Sequence, residues 1–293
     1  EDLFEGLDYL DWRLRIVDDG SQPGAGEYAL QILQKEYPRY LKEGRIIVDF
    51  LEKDIKENLQ RPEGERNPVL SGMRSSKDSV KGGAIIDGMY KAAKRGSDII
   101  VFTDSDNSSM LYFIGDILWH LLEGNFDAAL GSRAMPDSIV LNRGLIRRIQ
   151  SWQDTILFNW FAVRPLMPEI KEIRDTQNGF KGFRGDLLLK IHPKAQIKGA
   201  IFDVELIYLS KIFGTRNGVK EFGMPWVDNP GASNFSIKDG LKMRKELRGR
   251  ALSLSNDGKK YIRETAYNPS SPIDKYLKEY RYDETEGRSL KEA

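Results

Sequence analysis

The chain has 293 residues, 40% hydrophobic and 30% charged, which suffices for one large α/β domain or two smaller ones. Lys and Arg number 45 against 44 Asp and Glu, and a net charge of +1 offers no global field for gripping nucleic acid. The lack of cysteine excludes disulfides, thiolate catalysis and cysteine-based zinc sites, and two histidines are too few for a histidine-rich metal centre. No uninterrupted apolar run is long enough to cross a bilayer, and no signal peptide opens the sequence. The expectation is a soluble or membrane-peripheral, cytoplasmic protein.

Leu3, Leu7 and Leu10 recur at helical spacing, so residues 1–11 read as the end of an amphipathic helix. A short strand, Leu14-Arg15-Ile16-Val17, then runs into Asp18-Asp19-Gly20-Ser21. A helix is expected over 28–40 and a second strand over 45–50, a β-α-β pattern that requires a parallel sheet and a right-handed crossover. Residues 51–79 are charged and turn-rich. They read either as an insertion near the ligand edge that closes over a ligand or as a disordered segment. Lys81-Gly82-Gly83-Ala84 opens a helix over 84–94, where glycines permit close backbone approach and the helix N-terminus favours an anion.

The stretch Ile99-Ile100-Val101-Phe102-Thr103 is the centre of the chain, and it reads as a strand buried on both faces of a parallel sheet. It ends in Asp104-Ser105-Asp106, at the carboxyl edge where open α/β sheets bind ligands. Two carboxylates this close raise each other's pKa unless a counter-charge intervenes, and the local sequence supplies no lysine. Either a divalent cation resolves the conflict, or the pair merely caps the next turn. A helix over 111–122 carrying His120 follows, then a strand over 128–133. It ends in Arg133, either a diphosphate ligand or a surface arginine.

An apolar, aromatic helix is expected over 145–167, with Trp152 and Trp160 packed internally or against a membrane surface. The polar block Asp175-Thr176-Gln177-Asn178-Gly179-Phe180-Lys181 looks like a site loop running into a strand. Asp203 opens the next helix as a cap or as a carboxylate at the site rim. His192, just before Pro193, and His120 are expected to be structural. A strand over 218–224, a loop over 227–236, a basic helix over 238–250 and a polar tail complete the chain.

Five blocks in fixed order carry a resemblance that no single one would. They are Val17-Asp18-Asp19-Gly20-Ser21, Lys81-Gly82-Gly83-Ala84, Thr103-Asp104-Ser105-Asp106, Gly131-Ser132-Arg133, and the 175–181 block followed by Phe202-Asp203-Val204-Glu205-Leu206. Over residues 14–250 the chain resembles the family-2 glycosyltransferases of the dolichyl-phosphate mannose and glucose synthase branch. The resemblance implies an α/β, GT-A (Rossmann-like), mostly parallel sheet flanked by helices. A nucleotide-sugar half over 1–135 would adjoin an acceptor-side half over 136–250 and an extension over 251–293. The family's opening strand has no counterpart in the sequence, so either it precedes residue 1 or the nucleotide site is incomplete.

The resemblance also implies roles. Asp19 would read the nucleotide base, and Asp106 would ligate Mg²⁺ or Mn²⁺. Asp104 would contact the ribose or the metal, while Lys81 and Arg133 would face the charge growing on the departing diphosphate. Asp175, Gln177 and Lys181 would lie on the acceptor side. Asp203 would act as general base toward a hydroxyl, or would only orient an acceptor that is already anionic. The implied activity is inverting transfer of a hexose from a UDP-glucose or GDP-mannose type donor to polyprenyl phosphate. A hydroxyl of a small molecule or glycan is the alternative acceptor. Outside glycosyl transfer stand a haloacid-dehalogenase-type phosphatase, which also ends an apolar strand in Asp-x-Asp, and a non-catalytic sugar-nucleotide-binding protein.

Overall fold

Alternation along the Ile99–Thr103 strand decides how the sheet is filled. Ile100 and Phe102 are buried on one face, while Ile99 and Val101 pack on the other against a cluster of Ile117, Leu121, Ala129, Phe180, Phe222 and Met224. The structure is a computed structural model and describes residues 10–20, 24–79, 81–141, 163–227, 243–251 and 253. Residues 1–248 form one unit and 249–293 a second. Residues 145–162 of the helix expected over 145–167, the loop beyond Val227 and the tail lie outside the described residues, and Arg164–Leu166 is helical. Of the basic helix expected over 238–250, residues 243–251 are helical.

The strands are β1 (Leu14–Asp18), β2 (Ile46–Phe50), β3 (Ile99–Thr103), β4 (Ala128–Ser132), β5 (Ile139–Leu141), β6 (Phe180–Arg184), β7 (Val219–Gly223) and β8 (Pro225–Val227). β1 and β2 pair in parallel, as the β-α-β reading requires. β3, β6, β4 and β7 form a four-stranded sheet in that order, and β5 pairs with β8 in parallel. The parallel expectation fails for β3 at this edge, because its neighbour β6 runs antiparallel and also runs antiparallel to β4. The register Thr103↔Phe180 puts the exit of β3 beside the entry of β6. That reversal is what brings the 175–181 block to the Asp104 edge.

Helices α1 (Ala25–Glu36), α2 (Pro38–Lys42), α3 (Leu51–Gln60), α4 (Gly82–Lys94), α5 (Ile114–Leu122), α6 (Gly185–Ile191) and α7 (Phe202–Phe213) surround these strands. The single helix expected over 28–40 is two, broken where Pro38 disfavours helical geometry at Tyr37, whose φ is −132°. α5 supplies Ile117 and Leu121 to one face of the four-stranded sheet, and Gly182 lets it approach. On the other face the ring of Phe102 meets that of Phe202 in α7 at 5.7 Å.

Residues 51–79 are structured rather than disordered. Leu51 and Ile55 of α3 are buried, as are Val69, Leu70 and Met73 in the turns that follow. Lys91 of α4 reaches Asp54 at 2.6 Å, Asp87 at 2.8 Å and Asp49 at 3.5 Å, and Asp49 also pairs with Arg15. These ion pairs tie α3 and both N-terminal strands to α4. Polarity made the segment look loose, but its apolar residues are buried and its Asp54 is paired with Lys91, while most of its other charges are exposed.

His192 is fully buried, and neither ring nitrogen has a hydrogen-bond partner among the described residues. Burial, reinforced by the Lys198 charge, pushes its pKa down to about 3. The unfolded chain, with an ordinary histidine, takes up a proton as pH falls below about 6.5, and the folded state does not. Stability tied to this residue is therefore complete above that pH and is lost on acidification. Between pH 6.5 and 5, His192→Leu should flatten the pH dependence of urea-unfolding free energy by up to about 1.4 kcal/mol per unit, one proton's worth. An unchanged slope would show that His192 is not buried neutral.

Candidate active site

The expected site residues come from six segments, and Lys81, Asp104, Arg133, Asp175, Gln177, Lys181 and Asp203 meet in one charged cluster. Lys81, at the start of α4, extends its Nζ to 2.8 Å from Asp104 Oδ2 and 2.7 Å from Oδ1. The counter-charge absent from the local sequence is thus supplied in space. The Gly179 carbonyl accepts the Asp104 N–H at 3.1 Å, and a Cβ at Gly179 would fall 2.2 Å from the Asp104 carboxylate. Only glycine fits between the acceptor-side block and this carboxylate. Asp106 is half-buried, and its Oδ1 accepts the Ser108 N–H at 2.9 Å, an Asx-type turn made with Asn107 at φ 57°.

Arg133, at the end of β4, meets Asp175 through a two-pronged contact. Its Nε lies 2.6 Å from Oδ2 and its Nη2 2.7 Å from Oδ1, while its backbone N–H adds a third bond at 3.0 Å. Its guanidinium also stacks over Trp226, 5.4 Å from the ring centroid. Burial alone would push the carboxyl of Asp175 up, but Arg133's charge and hydrogen bonds hold it below the usual carboxylate range. Burial would likewise lower Arg133, and Asp175, with help from Asp104 and Asp203, raises it instead. Arg133 therefore has Asp175 as its immediate partner rather than open space for a diphosphate.

Asp203, at the first turn of α7, is held from two sides. Gln177 Nε2 donates to Oδ1 at 2.9 Å and Lys181 Nζ to Oδ2 at 3.1 Å, while the Val204 N–H adds a bond to Oδ1 at 3.0 Å. Burial raises its pKa, a shift that the charges of Lys181 and Lys81 only partly offset. Lys181 is itself fully buried, donates to the Asn178 carbonyl, and sits 5.4 Å from the centre of the Phe102 ring.

Sequence reading gave Glu221 of β7 no role. Its Oε1 accepts the N–H groups of Arg174 at 3.1 Å and Asp175 at 2.8 Å, so it fixes the loop that presents Asp175. Nothing in the local pattern marks it, because its partners lie 47 and 46 residues away. Asp19 stands at the end of β1, on the two-stranded sheet. There Gly20, at φ 91°, would place a Cβ 2.3 Å from Ser76 Oγ in the segment leading to Lys81. His120 is structural, as expected: it lies on α5 with its ring 5.0 Å from that of Phe222, and burial lowers its pKa.

Among the described residues no three His, Cys, Asp or Glu side chains converge on a metal position. The donor set nevertheless fits a divalent cation. Mg²⁺ commonly takes one or two protein carboxylates and completes its shell with substrate phosphates, and a carboxylate oxygen that accepts one N–H retains a lone pair. Asp106 meets that description, with Asp104, held by Lys81, beside it.

No family model matches the chain. It is 27% identical over 249 residues to the dolichyl-phosphate β-glucosyltransferase of Saccharomyces cerevisiae, covering 80% of this chain and 63% of that protein. To the dolichyl-phosphate β-glucosyltransferase of Dictyostelium discoideum it is 24% identical over 208 residues, covering 69% and 60%. To that of Homo sapiens it is 27% identical over 177 residues, covering 58% and 51%. The chain thus spans less than two thirds of the length of these curated relatives. Among solved structures, glucosyl-3-phosphoglycerate synthase from Mycobacterium tuberculosis aligns with a TM-score of 0.47 at 18% identity, covering 86% of this chain and 72% of that one. By sequence the chain is thus similar, over most of its length in the first two of these matches, to dolichyl-phosphate β-glucosyltransferases.

Proposed function

We propose that this chain transfers a hexose from a nucleoside-diphosphate sugar, of the UDP-glucose or GDP-mannose type, to a polyprenyl phosphate with inversion at the anomeric carbon. The observation that carries this reading is the single cluster in which Lys81 holds Asp104 and Lys181 holds Asp203, with Arg133 electrostatically coupled to both carboxylates. Donor-side and acceptor-side groups then flank one reaction centre, as a direct displacement requires. The relatives' name, dolichyl-phosphate β-glucosyltransferase, supports polyprenyl phosphate as the acceptor class.

Each residue has a task. Asp19 reads the base at the end of β1, and Asp104 with Asp106 holds Mg²⁺ or Mn²⁺ against the diphosphate. When bound, that cation supplies Lewis-acid stabilisation of the leaving group. Lys81 adds a fixed positive charge beside it, which gains strength in a site shielded from water. Arg133 acts chiefly by fixing Asp175, and so the 175–181 loop with Gln177 and Lys181. Asp203 orients the acceptor. Both of its oxygens already accept hydrogen bonds, and a phosphate nucleophile carries its own charge and needs no base. No helix among the described residues is long and apolar enough to cross a membrane. We assign the chain a cytoplasmic position with peripheral contact to the membrane that holds the lipid acceptor.

The donor is found by thermal shift with UDP, GDP and their sugars, with and without Mn²⁺, because a ligand that binds only the native state raises stability by mass action. For the acceptor, Asp203→Asn should keep nucleotide binding and lose little turnover per folded molecule on polyprenyl phosphate, with a flat pH–rate profile near neutrality. Removing a general base would cost roughly 10²–10⁴-fold. A loss of that size would point to a hydroxyl acceptor.

A further inference from the structure

Glu205 lies one residue beyond Val204 in the Asp203 motif, and none of the roles above uses it. It is fully buried. Its carboxylate accepts the Gln196 N–H at 3.1 Å and 3.0 Å through its two oxygens, and the Ile197 N–H at 2.7 Å. The backbone it grips continues into the start of α4. The Lys198 carbonyl accepts the Gly83 N–H at 3.2 Å. A Cβ at Gly82 would stand 2.6 Å from the Gly199 carbonyl oxygen and 2.7 Å from that of Lys198. The two backbones are therefore in direct contact, with room for glycine alone.

Lys81 immediately precedes this contact, at φ 76° and ψ −49°. That is the positive-φ γ-turn region, rare and strained for a residue with a side chain. Such a conformation persists only where the surroundings over-determine it. The loop over 196–199 provides that restraint on one side, and the ion pair with Asp104 provides it on the other.

We propose that Glu205 is a positioning residue for donor binding: it holds the 196–199 loop against Gly82 and Gly83, and so keeps the strained turn that aims Lys81 at Asp104 and the donor diphosphate. One helix, α7, then sets both ends of the reaction centre, the acceptor side through Asp203 and the donor side through Glu205. This rests on the reading of the donor as a nucleoside-diphosphate sugar.

The test is a double-mutant cycle with Glu205→Gln, Lys81→Met and the combined variant. UDP–Mn²⁺ and GDP–Mn²⁺ serve as calorimetric probes, and amide exchange at Gly83 is followed in the nucleotide-free protein. Glu205→Gln should speed Gly83 exchange and weaken nucleotide binding roughly tenfold, the scale of one charge-assisted hydrogen bond. The combined variant should bind within about twofold of Lys81→Met alone, because residues acting through one another are non-additive. Additive losses, or unchanged Gly83 exchange in Glu205→Gln, would overturn the proposal, since a carboxylate that only supports the fold predicts both. Should Glu205→Gln fail to fold, Glu205→Asp, which keeps the charge, enters the same cycle with the same expectations. If the wild-type protein binds neither nucleotide, the donor reading has failed, and Gly83 exchange alone then decides whether Glu205 holds the turn.

Discussion

Replacing Arg133 by alanine is expected to destabilise the protein by about 3–5 kcal/mol, the range for stripping one partner from a buried ion pair. Asp175 is fully buried and receives both prongs of the Arg133 fork. Without them its charge is left with backbone N–H groups, notably that of Gln177 at 3.2 Å. For a domain of this size the loss corresponds to a fall in Tm of roughly 6–20 °C. Arg133→Lys should recover only part of it, because a lysine keeps the charge but cannot form the planar two-pronged contact. Removing both partners with Arg133→Met and Asp175→Leu should be milder than Arg133→Ala, since an uncompensated buried charge costs more than an apolar pair. A Tm within about 2 °C of wild type for Arg133→Ala would show that the pair is not buried as described.

Asp106→Ala is expected to abolish metal-dependent nucleotide binding while leaving the fold in place. The residue is half-buried, and its bond to the Ser108 N–H closes a local turn. Losing such a cap costs about 1 kcal/mol. The loss in binding should be far larger, because Asp104 is neutralised by Lys81 and so leaves Asp106 as the principal carboxylate for the cation. Calorimetry with UDP or GDP, each with Mn²⁺ and again with EDTA, separates the two effects. Wild type should bind only with metal, and the variant should bind weakly in both conditions. Equal affinity with and without EDTA in wild type would remove the metal from the site.

Local chemistry was legible in the sequence wherever one segment contained the whole signal. The β-forming run ending in Asp104 and Asp106, the glycines opening α4 and the polar block over 175–181 were all visible. What could not be read was which segment would face which. A continuous apolar strand implies burial but says nothing about its neighbour's direction, so the antiparallel entry of β6 beside β3 was missed. The same gap hid the pairing of Lys81 with Asp104 across 23 residues and of Arg133 with Asp175 across 42. Residues 51–79 misled for a related reason. Most of their charges are indeed exposed, but Leu51, Ile55, Val69, Leu70 and Met73 are buried and Asp54 is neutralised by Lys91, 37 residues further along. Glu221 and Glu205 have mostly backbone partners on other segments, and a backbone N–H leaves no mark in a sequence.

Transfer itself is the most direct measurement: labelled UDP-glucose and GDP-mannose, each with a short-chain polyprenyl phosphate and Mg²⁺ or Mn²⁺, followed by separation of the lipid product and determination of its anomeric configuration. The expected result is a hexosyl polyprenyl monophosphate, formed from one of the two donors with inversion, at a rate that collapses in Asp106→Ala and persists in Asp203→Asn. Hexose delivered only to a hydroxyl acceptor, with none on the lipid phosphate, would contradict it.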